Sequence, residues 1–225
     1  MSIQHPYCSN FATVWECSDV VADGLVDWRS VLSQGCPVCG SHDCWRPLTP
    51  YWRTVIELFP YREERIQVAR FLCHTTGSTF SLLPFWLVPY HRYTAASMLL
   101  ALLLAAAVRP DGIKSLFAVA EQKLDPDSRA NGFLLGCWLV LCVSGLRRAH
   151  AELARWAELA GLKTGWNVNV RLDELVAYCR ALGIRGPPSS EQVHGLDEVL
   201  HRHARTTGRF LFGSPSQERC SRAAP

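Results

Sequence analysis

Apolar positions along this chain alternate early and recur at helical spacing later. In the stretch Arg65 to Cys73, Ile66, Val68 and Leu72 share one face, interrupted by Arg70, while Arg65, Gln67 and Ala69 lie opposite. Alternation among β-branched and aromatic residues marks strands with one wet face. Tyr51 to Phe59 and Arg65 to Cys73 are therefore predicted to form a hairpin joined by the charged segment 60–64. A proline-punctuated apolar connector follows, from Leu82 to Tyr93. Ala95 to Val108 is then apolar almost throughout, which predicts a buried helix capped by Thr94 and stopped by Pro110-Asp111-Gly112. The run is shorter than the roughly 20 residues that a membrane crossing needs, so no membrane partner is expected.

Helical spacing then dominates. Ile113, Leu116, Phe117, Ala120 and Leu124 fall on one face of a short amphipathic helix. Asp125-Pro126-Asp127 offers an acidic cap, a first-position proline and a first-turn acid, predicting a helix from Ser128 to about Leu159 with a break near Ser144-Gly145. Its first half is apolar on all sides, and its second half carries Arg147, Arg148 and Arg155 on a polar surface. Two more helices, Arg171 to Leu182 and Glu191 to Ala204, flank a linker at 186–190. The residues from Thr206 onward read as loosely ordered, with Phe210-Leu211-Phe212 able to dock on the body or on a partner. Residues 1–35 are weakly patterned, with a short helix expected over Asp23 to Ser33.

At 225 residues, 48% of them hydrophobic, the chain is long enough to bury a substantial core and is not disordered. A formal charge of +3 permits nucleic-acid binding without demanding it. The N-terminus shows no basic segment followed by an apolar run, so the ten cysteines point to a reduced, cytoplasmic protein with a metal knuckle rather than a disulfide scaffold.

The cysteines bracket the predicted hairpin. Cys36-Pro37-Val38-Cys39-Gly40 is a Cys-x2-Cys knuckle, whose tight turn aims two sulfurs at one point, with glycine easing the backbone behind them. Beyond the hairpin, Cys73-His74-Thr75-Thr76-Gly77 repeats the pattern with threonine in place of the second cysteine. Structural zinc takes four thiolate or imidazole ligands in a tetrahedron, and a hairpin between two knuckles is the architecture of a zinc ribbon. Cys36, Cys39 and Cys73 supply three ligands. His74 is the fourth candidate, with Cys44 or His42 as alternatives that can fold back from behind the first knuckle. The competing reading is a metal-free module with buried thiols. Cys8 and Cys17 are candidates for a second site, although ordinary core or surface positions account for them more simply.

The expected fold is thus mainly α with a small β zinc-ribbon-like module, α+β overall. Its parts are an N-terminal extension at 1–35, the ribbon and connector at 36–93, a helical region at 94–183, and a C-terminal helix with its tail at 184–225. Helices joined by short turns after a ribbon can form a helix-turn-helix unit, whose last helix reads base edges in the major groove while Arg and Lys hold phosphates. On that reading Arg129 and Asn131 contact bases, and Arg147, Arg148 and Arg155 contact the backbone. A helical core with a solvated basic face explains the same residues.

The run CPVCGS followed by FLCHTTGSTFSLLPFWLVPYHRYT resembles bacterial proteins of a transposase-associated zinc-ribbon family, largely catalogued as a domain of unknown function. In that family CPxCGS precedes CxxCGxTFSLLP and a PxxRY element. The resemblance covers residues 36–93, matches family ligand positions at Cys36, Cys39 and Cys73, and departs at Thr76. It implies DNA binding in the context of mobile elements, with a separate transposase or another protein subunit as a further partner. Chemistry in this chain is not expected. No run of strands after Cys73 can build the RNase-H-like sheet of a two-metal nuclease, no GxxxxGK[ST] loop is present, and Asp125, Asp127, Asp173 and Glu174 read as helix caps and first-turn acids. A protein-interaction module and an inactive transposase remnant are the alternative functions.

Overall fold

The computed structural model describes residues 3–7, 27–33, 35–108, 113–159, 161–186 and 193–213. The candidate ligands Cys8 and Cys17 lie outside them. Two layers meet in one hydrophobic core: a four-stranded sheet and a set of helices around a central apolar rod.

The sheet has the order β1-β4-β3-β2, with β1 Ile3–Tyr7, β2 Trp45–Leu58, β3 Tyr61–Cys73 and β4 Thr79–Pro84. β2, β3 and β4 are antiparallel neighbours, and β1 joins β4 in parallel. The hairpin is longer than its alternating residues suggested. The charged residues Arg62, Glu63 and Glu64 belong to β3, paired with Glu57, Ile56 and Val55, and the turn is reduced to Phe59-Pro60. The weakly patterned N-terminus supplies an edge strand, and the short helix near residue 30, α1, covers Trp28–Val31 with Asp27 accepting the Arg29 amide as its cap.

The expectation of one wet face for β3 holds for only half the strand. Ile66 and Val68 are buried, but so are Ala69, Phe71 and Cys73 of the opposite set. Phe71 stacks on its register partner Phe80 and takes Trp28 and Trp45 edge-on, with ring centroids 5.3 to 5.6 Å apart. Such aromatic contacts add to the burial of apolar area, and here they tie α1 and the start of β2 to the end of β3.

The connector closes the free edge of β2. Ile56 donates its amide to Arg92 O and accepts from the Thr94 amide, while the Arg53 guanidinium donates to the carbonyls of Val88 and His91. Thr94 then caps α2, Ala95–Val108, by accepting the Ser97 amide as its sequence position suggested. Ten residues of α2 are buried, on every side, which makes it the rod around which α3 (Ile113–Lys123), α4 (Gly132–Leu153) and α5 (Val168–Ala181) pack. The last helix, α6, covers Leu196–Thr207 and ends at Gly208 in the left-handed conformation.

Two expectations for the long helix change. Asp125 caps only a single 3-10 turn over Pro126–Ser128, which Arg129 ends with φ of +58°, and α4 begins afresh at Gly132 with Asn131 as its cap. The helix does not break at Ser144-Gly145. A Cβ at Gly145 would lie 2.2 Å from Leu211 O, so glycine is there to let the C-terminal segment cross the helix. Phe210, Leu211 and Phe212 are accordingly buried. Among the described residues α4 alone is long and apolar enough to cross a membrane, and half of its most apolar window is buried within the protein.

Candidate metal centre

Four sulfurs converge at the end of the hairpin. Those of Cys36, Cys39, Cys44 and Cys73 all lie within 4.8 Å of one another. Two arrive on matching turns. The Cys36 amide donates to Ser41 O at 2.9 Å and the Gly40 amide to Cys36 O at 2.8 Å; the Cys73 amide donates to Ser78 O at 2.8 Å and the Gly77 amide to Cys73 O at 2.9 Å. Gly40 and Gly77 both adopt positive φ, +79° and +68°, which a side chain at Cβ disfavours. Residues 73–77 thus retain the full backbone form of a knuckle although Thr76 stands where its second sulfur would be.

Cys44 supplies the missing sulfur. It sits just before β2, where Trp45 pairs with Cys73, and the His74 amide donates to the Cys44 carbonyl. His74 therefore contributes to the centre through its backbone. Its side chain is exposed, as is that of His42, and neither belongs to the group of four. Of the sequence candidates, the structure joins Cys36, Cys39 and Cys73 with Cys44 rather than with His74.

The donor chemistry suits a metal cation. Cys39 and Cys44 sulfurs are 3.0 Å apart and Cys44 and Cys73 sulfurs 3.8 Å apart. The first separation is well beyond the roughly 2.05 Å of a disulfide, and all seven cysteines among the described residues are free. A tetrahedron with metal–sulfur bonds of about 2.3 Å has edges of about 3.8 Å, within the observed spread. Hydrogen bonding from the Cys44 thiol pulls Cys39 down to about 6, whereas burial, reinforced by that same contact, pushes Cys44 up. Burial raises Cys36. For Cys73 burial is again the largest influence, but hydrogen bonds from Thr76 and Cys44 outweigh it and leave the thiol below its ordinary value. Protons shared in this way satisfy only some of the sulfurs. Four thiolates at this spacing need a positive charge between them.

The residues expected to contact DNA scatter. Asn131 accepts the Leu134 amide as the cap of α4. Arg147 binds both carboxylate oxygens of Glu174, a fully buried side chain, and donates to Gly165 O at 2.8 Å. Arg148 donates to Gly213 O. Arg129 and Arg155 are exposed, the first in the turn before α4 and the second just beyond its end. The side of α4 left open to a groove carries Phe133, Cys137 and Val140 rather than base-reading groups, while Leu135, Trp138, Leu139, Cys142 and Leu146 face the core. Glu174, taken from the sequence as a first-turn acid, is instead the counter-ion of Arg147.

A different exposed surface lies midway along the hairpin, six strand positions from Cys73 at its nearest register pair. On the wet part of the hairpin, Trp52 is half exposed, faces Gln67 across the strands, and carries the Arg65 guanidinium 5.7 Å from its ring centroid. Thr54 is the register partner of Arg65. This group carries no separate signal of its own, because a tryptophan in an alternating run reads equally well as core. No protein family, curated protein or solved structure matches this chain.

Proposed function

We propose that this chain is a non-catalytic DNA-binding protein of mobile-element origin, built on a zinc ribbon whose ion is held by Cys36, Cys39, Cys44 and Cys73. The observation that carries the reading is the convergence of those four sulfurs from two knuckle-shaped turns and the start of β2. Four protein thiolates complete the coordination of zinc and leave no position for water or substrate, so the ion serves folding. The mobile-element context follows the resemblance carried by residues 36–93.

The DNA contact is assigned to the hairpin rather than to α4. A two-stranded ribbon fits the major groove, where Arg pairs with guanine and Gln with adenine. Arg65, Gln67, Thr54 and Trp52 form such a group on two registered strands. The test is duplex binding by fluorescence anisotropy as salt rises from about 50 to about 200 mM, where phosphate contacts must weaken it steeply. Arg65→Ala and Gln67→Ala are expected to lower affinity with the metal retained. Absent or salt-insensitive binding would sink the proposal.

A second reading, a protein-interaction module, is favoured by one observation. Phe133 is 73% exposed and Val140 42% exposed on the outer side of α4, with Ile113 exposed on α3. Pull-down with a separate transposase subunit from the same mobile element, unaffected by Arg65→Ala and abolished by Phe133→Asp, would favour it.

A further inference from the structure

The loop between α4 and α5 holds a tryptophan that the fold does not use for burial. Trp166 is 83% exposed, the most exposed of the large apolar side chains among the described residues. It is nonetheless positioned. The Arg147 guanidinium lies 5.7 Å and the Arg171 guanidinium 5.4 Å from the ring centroid. Arg147 is itself fixed by both oxygens of buried Glu174 and by the carbonyl of Gly165, the residue before the tryptophan. Gly165 packs so closely on α5 that a Cβ there would meet Val170 at 2.7 Å, and Asn167 caps α5 immediately after the indole. The ring is therefore anchored by residues on both sides and left facing water.

The charges around it select the ligand. Glu174 offsets Arg147, which leaves Arg171 in excess, with Lys163 three residues ahead of the indole in the same loop. Two guanidinium groups at the ring disfavour a cationic partner and favour an anionic one with a flat face. A nucleotide has both features. In a duplex the base faces are stacked on one another, whereas in a single strand they are free to lie on an aromatic side chain while the phosphates meet basic ones.

We propose that Trp166, flanked by Arg171 and Arg147, is a stacking platform for an unpaired base of single-stranded nucleic acid. This rests on the nucleic-acid reading above and adds to it a second contact, on a different element from the hairpin and with a different preference.

The experiment compares the zinc-loaded full chain with Trp166→Ala, Trp166→Phe and Arg171→Gln, using a labelled oligothymidylate about 10 nucleotides long and a labelled duplex. Expected for Trp166→Ala is a loss of about 5- to 150-fold in single-strand affinity, the range for removing one stacked base. Duplex affinity should be unchanged and the thermal midpoint close to that of the parent. Trp166→Phe should retain most single-strand binding, and Arg171→Gln should weaken it and flatten its salt dependence. These two variants keep the test open if Trp166→Ala does not fold. Single-strand binding indifferent to all three substitutions overturns the platform and leaves the hairpin reading standing. A parent protein that binds neither probe overturns the nucleic-acid reading, and the platform with it.

Discussion

Cys44 places its sulfur 3.0 Å from that of Cys39, within the group of four, where Thr76 offers no sulfur of its own. The centre is thus a four-thiol set assembled from three segments, and its fourth member is separable from its histidine neighbours. Cys44→Ser is expected to abolish stoichiometric metal binding, measured by mass spectrometry of the purified protein, as is Cys36→Ser. His74→Ala and His42→Ala should each leave one ion per chain, because neither side chain enters the cluster and the His74 backbone amide survives the substitution. Retention of metal by Cys44→Ser together with its loss in His74→Ala would reverse the assignment. Removing the ion with a chelator should lower the thermal midpoint, since a structural zinc contributes directly to folding free energy.

Much of this centre was legible in the sequence, and the part that was not has a physical cause. A Cys-x2-Cys-Gly turn is a local object, so Cys36, Cys39 and the half-knuckle at Cys73 declare themselves by spacing. Cys44 stands in the sequence as one of three candidates for the fourth place, and strand register is what selects it, because Trp45 pairs with Cys73 across the hairpin. The same distinction runs through the helices. α2 is legible from its unbroken apolar run and α3 from local periodicity, whereas the C-terminal segment at Phe210–Phe212 is ordered by a crossing with Gly145 that no periodicity reveals. The arginines mislead most, since a basic side chain on a helix looks the same in sequence whether it meets solvent, phosphate or a buried carboxylate 27 residues on.

That carboxylate makes the Arg147 and Glu174 pair asymmetric. The Glu174 side chain is fully buried and the Arg147 side chain 27% exposed. Arg147→Ala strands an unpaired acid in the core and should cost about 3 to 5 kcal/mol in urea unfolding. Glu174→Ala leaves a guanidinium that can turn toward water, and is expected to cost less. Equal losses from the two substitutions would contradict the burial difference.

Gly145 offers a test of the tail. Because a Cβ there would collide with the Leu211 carbonyl at 2.2 Å, Gly145→Ala must displace the segment that buries Phe210, Leu211 and Phe212. Helix propensity alone would make this substitution stabilising by up to about 1 kcal/mol. The crowding should reverse the sign, to a loss of about 1 to 3 kcal/mol, the usual range for overpacking. Proteolysis should then begin C-terminal to Gly208. Truncation after Gly208 should cause a comparable loss and make the two changes non-additive.

Stability should also fall on mild acidification. His203 lies in the core with its Nδ1 2.7 Å from a Glu152 carboxylate oxygen, and burial lowers its pKa despite the attraction of that carboxylate. Burial likewise lowers His91, with the Arg53 guanidinium acting in the same direction. In the unfolded chain both rings regain a pKa of about 6.5. Above that value neither state is protonated and the full stability is present. As pH drops below it the unfolded chain takes up protons that the folded one does not, so stability is lost until the depressed folded values are reached. The slope is at most about 1.4 kcal/mol per pH unit for each histidine. His203→Gln should reduce the slope of unfolding free energy against pH between about 6.5 and 5, measured in urea on the metal-loaded protein. An unchanged slope in that variant would mean that His203 takes up its proton equally well in the folded core.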